Sequence, residues 1–235
     1  MSAIADPISG HAVRYPFAQS LRYREHPEGE YLEFRLIYYG PLVAETNHPR
    51  VPEKQAIRKF LHPQLKEWWK QNEKRLGSAE RIGQNFDRAG FHFVPVVSKE
   101  RSENCSLHIT FLRRDAPGNV IKNGGDVDNR IKVLFDGLRM PRDRKETSGA
   151  TPEIGEDPFF CLLENDDLIT EVHIVTDRLL LPVSDTTNSH RINDVELVIH
   201  VKTDQDLARP SDVQEAMNRA HMDTLQATFP HGPRW

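Results

Sequence analysis

The chain has 235 residues, 37% hydrophobic and 28% charged, with 31 Lys and Arg against 35 Asp and Glu for a formal net charge of -4. This describes one decorated domain, or at most two small ones, and it excludes a protein that coats nucleic acid by bulk positive charge. Two cysteines, Cys105 and Cys161, stand in no zinc-like spacing, which excludes a disulfide scaffold and a cysteine-rich metal module.

The first residues show no basic start followed by an apolar run, so no signal peptide is expected. No window approaches the roughly 18 uninterrupted apolar residues of a membrane span. A cytoplasmic, water-soluble protein that contacts no membrane is expected.

Residues 1–29, broken by Pro7, Gly10, Pro16 and Pro27, read as an extended arm. Leu32, Phe34 and Leu36 alternate along a strand that Gly40-Pro41 ends. Residues 52–75 read as helical on both sides of Pro63, which suits a break or a new first turn. Phe60, Leu61, Leu65, Trp68 and Trp69 form its apolar edge, and the tryptophans read first as core and only weakly as base-stacking groups.

Residues 91–97 and 106–112 read as strands, with Pro95 favouring an edge or a bulge in the first. His108 lies in the second alternating run, the place of a structural or surface side chain rather than a metal ligand. A Gly- and Asn-rich loop follows over 115–125. From Asp128 the chain reads as a helix, capped by Asp128 or Asn129 and buried through Ile131, Leu134, Phe135 and Leu138. Gly137 would weaken a helix interior, so the helix is expected to end near Leu138.

Residues 141–158 form a long polar loop, first basic and then acidic. Residues 159–163 are a short apolar run, strands are expected at 168–175 and 194–202, and a proline-started amphipathic helix with a tail closes the chain over 205–235. An α/β (α+β) domain over 30–204, with a mixed sheet and packed helices, is the resulting architecture.

Two acidic groups carry the chemistry. Asp126 and Asp128 stand at a loop-to-helix junction, and Asp166 and Asp167 at the start of a strand. Carboxylates brought together uncompensated repel and raise one another's pKa; a divalent cation resolves that conflict. Mg²⁺ takes few protein oxygens and completes its shell with water and phosphate, which suits phosphodiester hydrolysis. Lys132, one turn beyond Asp128, is placed to neutralise charge on a phosphate. The plain alternative is a helix cap and a turn. An EF-hand, an aspartyl-phosphate phosphatase, a Gly-rich phosphate loop and a serine elbow all lack their required neighbours.

Residues 125–138, GDVDNRIKVLFDGL, resemble the central motif of the RusA-type Holliday-junction resolvases, D-x-D-N-x-x-K-x-x-x-D-x-L, through Asp126, Asp128, Asn129, Lys132, Asp136 and Leu138. NDDLITEV at 165–172 resembles the family's second motif, an Asp-Asp pair opening a strand. The resemblance implies a Mg²⁺-dependent endonuclease (Mn²⁺ being the alternative ion) that cuts branched DNA as a homodimer, of a kind frequent in prophages, with no organic cofactor. It places the metal on Asp126, Asp128 and Asp167 and the essential lysine at Lys132. Asp166, Asp136 and Asn129 are supporting, Asp136 by holding Lys132 across one helical turn or as an ordinary exposed pair.

Family members are commonly near half this length. The N-terminal arm, the 52–75 helical region, the lengthened 141–163 stretch and the C-terminal helix read as additions. Basic residues outnumber acidic ones over 113–145, whereas 150–177 holds acids and no Lys or Arg. Arg113, Arg114, Lys122, Arg130, Arg139, Arg142, Arg144 and Lys145 are therefore the expected DNA-backbone contacts. Rival readings are a nuclease for other branched DNA, a non-catalytic DNA-binding or assembly protein on the same fold, and an α/β protein whose acids are caps and turns.

Overall fold

The computed structural model describes residues 32–44, 50–113, 127–147, 149–180 and 193–205. The expected arm over 1–29 and the loop over 115–125 lie outside the described residues. Of the expected C-terminal helix and tail, only Gln205, which ends a strand, lies inside them.

The strands are β1 (Glu33–Pro41), β2 (Asp87–Arg88), β3 (Phe91–Val97), β4 (Glu103–Arg113), β5 (Phe159–Leu163), β6 (Ile169–Arg178) and β7 (Asp194–Gln205). The helices are α1 (Val51–Leu76), α2 (Ala79–Asn85) and α3 (Val127–Leu138). One mixed sheet runs β1-β7-β4-β6, with β4 and β6 parallel and the other pairs antiparallel. A smaller mixed sheet runs β2-β3-β5, with β3 and β5 parallel. Three helices with two mixed sheets make this an α+β protein, in the class expected.

Alternation builds the larger sheet's inner face. Phe34, Leu36 and Tyr38 of β1, Leu107, Ile109 and Phe111 of β4, and Val195, Leu197, Ile199 and Val201 of β7 are all buried. α1 lies on this face: the Trp68 ring is 4.3 Å from Phe34 and Phe60 is 5.2 Å from Tyr38. Trp69 is buried too, and its indole N–H donates to Gly77 O at 3.1 Å, so both tryptophans are core residues. The open edge of β1 is sealed at Ile37, whose N–H and C=O both bond the Gln64 side chain at 3.0 and 2.7 Å.

α1 is continuous through Pro63, where a break was allowed. An interior proline costs about 3 kcal/mol. Here Leu61 and His62 before it and Leu65, Trp68 and Trp69 after it are all buried, and that packing holds the two halves in line. Pro95 follows its expectation: it faces Cys161 on β5, and on its other side its carbonyl accepts from Arg101 Nη2 at 3.2 Å instead of from a strand.

The 141–158 stretch is polar but tied down. After a 3-10 turn at Arg144–Thr147 it lies along α1, where Lys59 meets Glu153 at 2.5 Å and Glu156 at 3.4 Å, and Lys66 donates to Gly155 O at 2.7 Å. His62 joins this contact from within. Its Nδ1 accepts from Phe160 N at 2.9 Å, so the ring is neutral and Nε2–H faces Gly155 O at 3.2 Å. Burial holds its pKa below the ordinary histidine value, against the opposing pull of the Gly155 carbonyl. A group depressed in this way binds its proton more readily when unfolded. Its contribution is therefore complete above about pH 6.5 and is lost as pH falls through the folded value. Acid unfolding followed by near-UV circular dichroism is expected to begin at higher pH in the parent than in His62→Gln.

α3 packs on α1 at a glycine. A Cβ on Gly137 would stand 2.8 Å from Ile57 Cγ2 and 2.9 Å from its Cβ. The helix thus runs to Leu138 with its glycine inside, where close helix approach outweighs propensity. Gly137→Ala is expected to cost about 1–3 kcal/mol through overpacking, read as a lower urea midpoint.

Candidate functional site

α3 presents two chemically distinct faces. Ile131, Val133, Leu134 and Leu138 are buried, whereas Asp128, Asn129 and Lys132 are exposed. Asp128 Oδ1 accepts from Asn129 N at 2.8 Å, a first-turn interaction that also suits the helix dipole. Asp126 lies immediately before α3, outside the described residues.

The second acidic motif forms a 3-10 turn, Asp166–Leu168, between β5 and β6. Buried Leu168 anchors it, and the turn packs against α3. The C-terminal ends of parallel β3 and β5 bring further charges here. Glu164 N donates to Val97 O at 2.9 Å, and Lys99 N donates to Glu164 Oε2 at 2.8 Å. Lys99 Nζ then reaches Asp167 Oδ2 at 2.7 Å, and Arg142 approaches Asp166 at 3.6 Å. Both pairs are exposed enough to be strongly screened, so each is a weak and replaceable contact.

The two acidic motifs thus lie on touching elements. The donors are hard carboxylate oxygens on exposed ground, a set that suits Mg²⁺ or Mn²⁺. Among the described residues no three His, Cys, Asp or Glu side chains already converge on one point. Asp128 and Asp167 are the described members of the expected ligand set.

Asp136 requires a correction. It does not hold Lys132; it is buried between α3 and α1, where Lys54 Nζ lies 2.8 Å from its Oδ2 and Arg139 Nη2 lies 2.5 Å from its Oδ1. Two cations on the inner side outcompete one exposed lysine. Burial by itself would raise the Asp136 carboxyl, but the hydrogen bond from Lys54 and the Arg139 charge hold it below the usual carboxylate range.

Three of the expected DNA contacts are also corrected. Arg113 is fully buried because it continues the inward alternation of β4 through Ile109 and Phe111. Arg130 is buried because it shares the inner side of α3 with Ile131 and Leu134; its Nη2 reaches Asn193 Oδ1 at 3.4 Å. Arg139 is buried and forks onto Glu146 at 2.9 and 3.1 Å. None of the three is presented to a phosphate. Arg142, Arg144 and Lys145 are exposed on one short segment, and Arg114 and Lys122 lie outside the described residues.

Sequence reasoning missed Lys99, Glu164, Lys54, Arg58 and Glu146. Lys99 follows a strand, and Glu164 precedes the acidic pair. Only the parallel pairing of Val97 with Leu163 brings them together. No helix among the described residues is long and apolar enough to cross a membrane. Comparison of the chain with protein-family models, with curated proteins and with solved structures finds no match.

Proposed function

We propose that this chain is a divalent-metal-dependent endonuclease acting on branched DNA, in the manner of the RusA-type junction resolvases it resembles. The observation supporting this reading is the packing of the Asp166–Leu168 turn against α3, whose exposed side carries Asp128 and Lys132. Two motifs far apart in the sequence and predicted to cooperate lie on elements in contact.

Asp126, Asp128 and Asp167 would hold Mg²⁺, or Mn²⁺ in its place. When bound, such an ion supplies a Lewis acid for a phosphate oxygen and lowers the pKa of water. The remaining work falls to the chain. Lys132, exposed one turn beyond Asp128, offers positive charge to the phosphate under attack. The backbone N–H of Asn129 holds the Asp128 carboxylate at the first turn. Arg142, Arg144 and Lys145 grip flanking phosphates and position the strand without reading its bases. Lys99 and Arg142 neutralise the acidic turn until ion and DNA arrive. A homodimer would address two symmetric strands with two such sites.

One observation favours the non-catalytic DNA-binding reading: Asp167 and Asp166 already have cationic partners in Lys99 and Arg142. A labelled four-way junction incubated with Mg²⁺ or Mn²⁺, beside linear duplex of the same sequence, separates the two. Paired metal-dependent nicks in the junction alone are the expected result. Tight junction binding with no cleavage in either metal would establish the binding protein instead.

A further inference from the structure

The outer face of the larger sheet carries three histidines side by side. His108 of β4 is directly opposite His173 of β6 and His200 of β7. The ring centroids are 5.6 Å apart for His108 and His173 and 6.0 Å for His108 and His200. The histidines lie 65 and 27 residues apart in sequence, so only strand register brings them together.

The two ends of this row differ. At the β7 end His200 Nε2 is 2.6 Å from Glu33 Oε1, and Arg35 stands opposite His200 on β1. That imidazole already has a carboxylate, and a guanidinium beside it opposes a cation. At the β6 end, Glu171 Oε1 lies 3.9 Å from His108 Nε2, with His173 on the same face of the same strand. Here a second imidazole and a carboxylate both stand beside His108, without yet converging on one point.

A bulge builds this end. Cys105 pairs with Ile169 but Ser106 pairs with Glu171, so Thr170 is an extra residue in β6, and its hydroxyl donates to Cys105 O at 3.2 Å. The shift by one residue turns Glu171 and His173 to the outer face beside Ser106 and His108. Without it both would lie on the opposite face.

The geometry points to a transition-metal site at His108, His173 and Glu171, taking a borderline divalent ion such as Zn²⁺, Ni²⁺ or Cu²⁺ through two imidazole nitrogens and one carboxylate oxygen. Directly opposed residues have Cβ atoms about 4.5–5.5 Å apart. Ligands on a tetrahedral ion at the usual bond lengths are about 3.3 Å apart. His108 and Glu171 therefore close by roughly half an ångström, and the side chains are free to rotate because they are exposed. Imidazole selects transition metals over Mg²⁺, so this site is chemically separate from the Asp128 and Asp167 side of the molecule. Its open positions face solvent and remain available to water or to an anionic ligand.

Isothermal titration of the full chain with Zn²⁺ and with Ni²⁺, in millimolar Mg²⁺, tests the assignment. Because the chain has 11 histidines, the comparison among variants carries the result. His108→Gln and His173→Gln are each expected to weaken Zn²⁺ binding at least about tenfold, and Glu171→Gln by a smaller factor. His200→Gln is expected to leave it unchanged. Cu²⁺ electron paramagnetic resonance is expected to show two coordinated nitrogens in the parent and one in either of the first two variants. Equal affinities in the parent, His108→Gln and His173→Gln would overturn the site, as would no ion bound by the parent. His108, His173 and Glu171 are exposed and His200 is partly buried, so loss of fold is not expected, and far-UV circular dichroism checks it.

Discussion

Asp136→Ala is expected to destabilise the protein by about 3–5 kcal/mol, the usual consequence of removing one partner from a buried ion pair. Asp136 sits in a group of three cations and two acids between α1, α3 and the turn at Arg144–Thr147. Lys54 and Arg139 contact its carboxylate. Arg139 also forks onto Glu146. Arg58 donates to the carbonyls of Asp136, Arg139 and Glu146 at 2.6, 3.0 and 3.2 Å. Burial, and then the neighbouring Arg139 charge, push the Arg58 pKa down to about 10. Without Asp136, Arg58 and Arg139 would have Glu146 as the one carboxylate of this group, and Lys54 would lose its contact with the Asp136 carboxylate. The measurement is a urea midpoint at neutral pH with an unchanged slope.

Two controls sharpen that experiment. Asp136→Asn keeps an acceptor oxygen and loses the charge, so it isolates the electrostatic part. A combined Lys54→Met, Asp136→Leu and Arg139→Met variant removes one acid with both of its cations; it is expected to be milder than Asp136→Ala, because the Arg58 and Glu146 that remain pair with each other. The same network adds acid sensitivity. Burial alone would raise Asp136 and Glu146, but their cationic hydrogen-bond partners hold both below the ordinary range. Their contribution is present above the unfolded carboxylate pKa of about 4 and is lost as pH falls through the folded values.

The same residues show what was legible in the sequence. Period-2 alternation marked β1, β4 and β7, because Phe34, Leu107 and Leu197 recur with their neighbours at that spacing, whereas β5 showed only as a short apolar run, buried throughout. The helix at α3 was readable from its cap and stripe. The two-residue β2 and the seven-residue α2 were not, since so few residues cannot establish a repeating hydrophobic pattern. Nor was sheet order: β7, late in the chain, inserts between β1 and β4, and no local pattern encodes a distant partner. Arg113, Arg130 and Arg139 were misplaced because a charged residue reads as surface unless its burial is known. Arg113 did fall on the inward beat of its strand, a signal that outranks its charge. The acid motifs were recognisable as patterns, but Lys99 on Asp167 depends on the β3–β5 register. The histidine row depends on register and on one bulge, so His108 alone read as an ordinary surface residue.

On the proposed reading, Asp128→Asn and Lys132→Ala are expected to lower the rate of junction cleavage by about 10²–10³, the effect typical of removing one preorganised charge from a reacting phosphate. Stability separates this from the Asp136 result. Asp128 and Lys132 lie on the exposed side of α3, so neither substitution opens the core. Their urea midpoints should stay within about 0.5 kcal/mol of the parent. Asp136→Asn is expected to do the reverse, losing stability while the folded fraction keeps most of its cleavage rate. Lys99→Ala supplies a further distinction. If Lys99 only neutralises Asp167, its removal favours the metal and lowers the Mg²⁺ concentration at half-maximal rate. If Lys99 also touches DNA, its removal weakens junction binding and flattens the salt dependence by about one phosphate contact. One helix thus yields opposite phenotypes from positions two turns apart, because one side faces solvent and the other a buried cluster of cations.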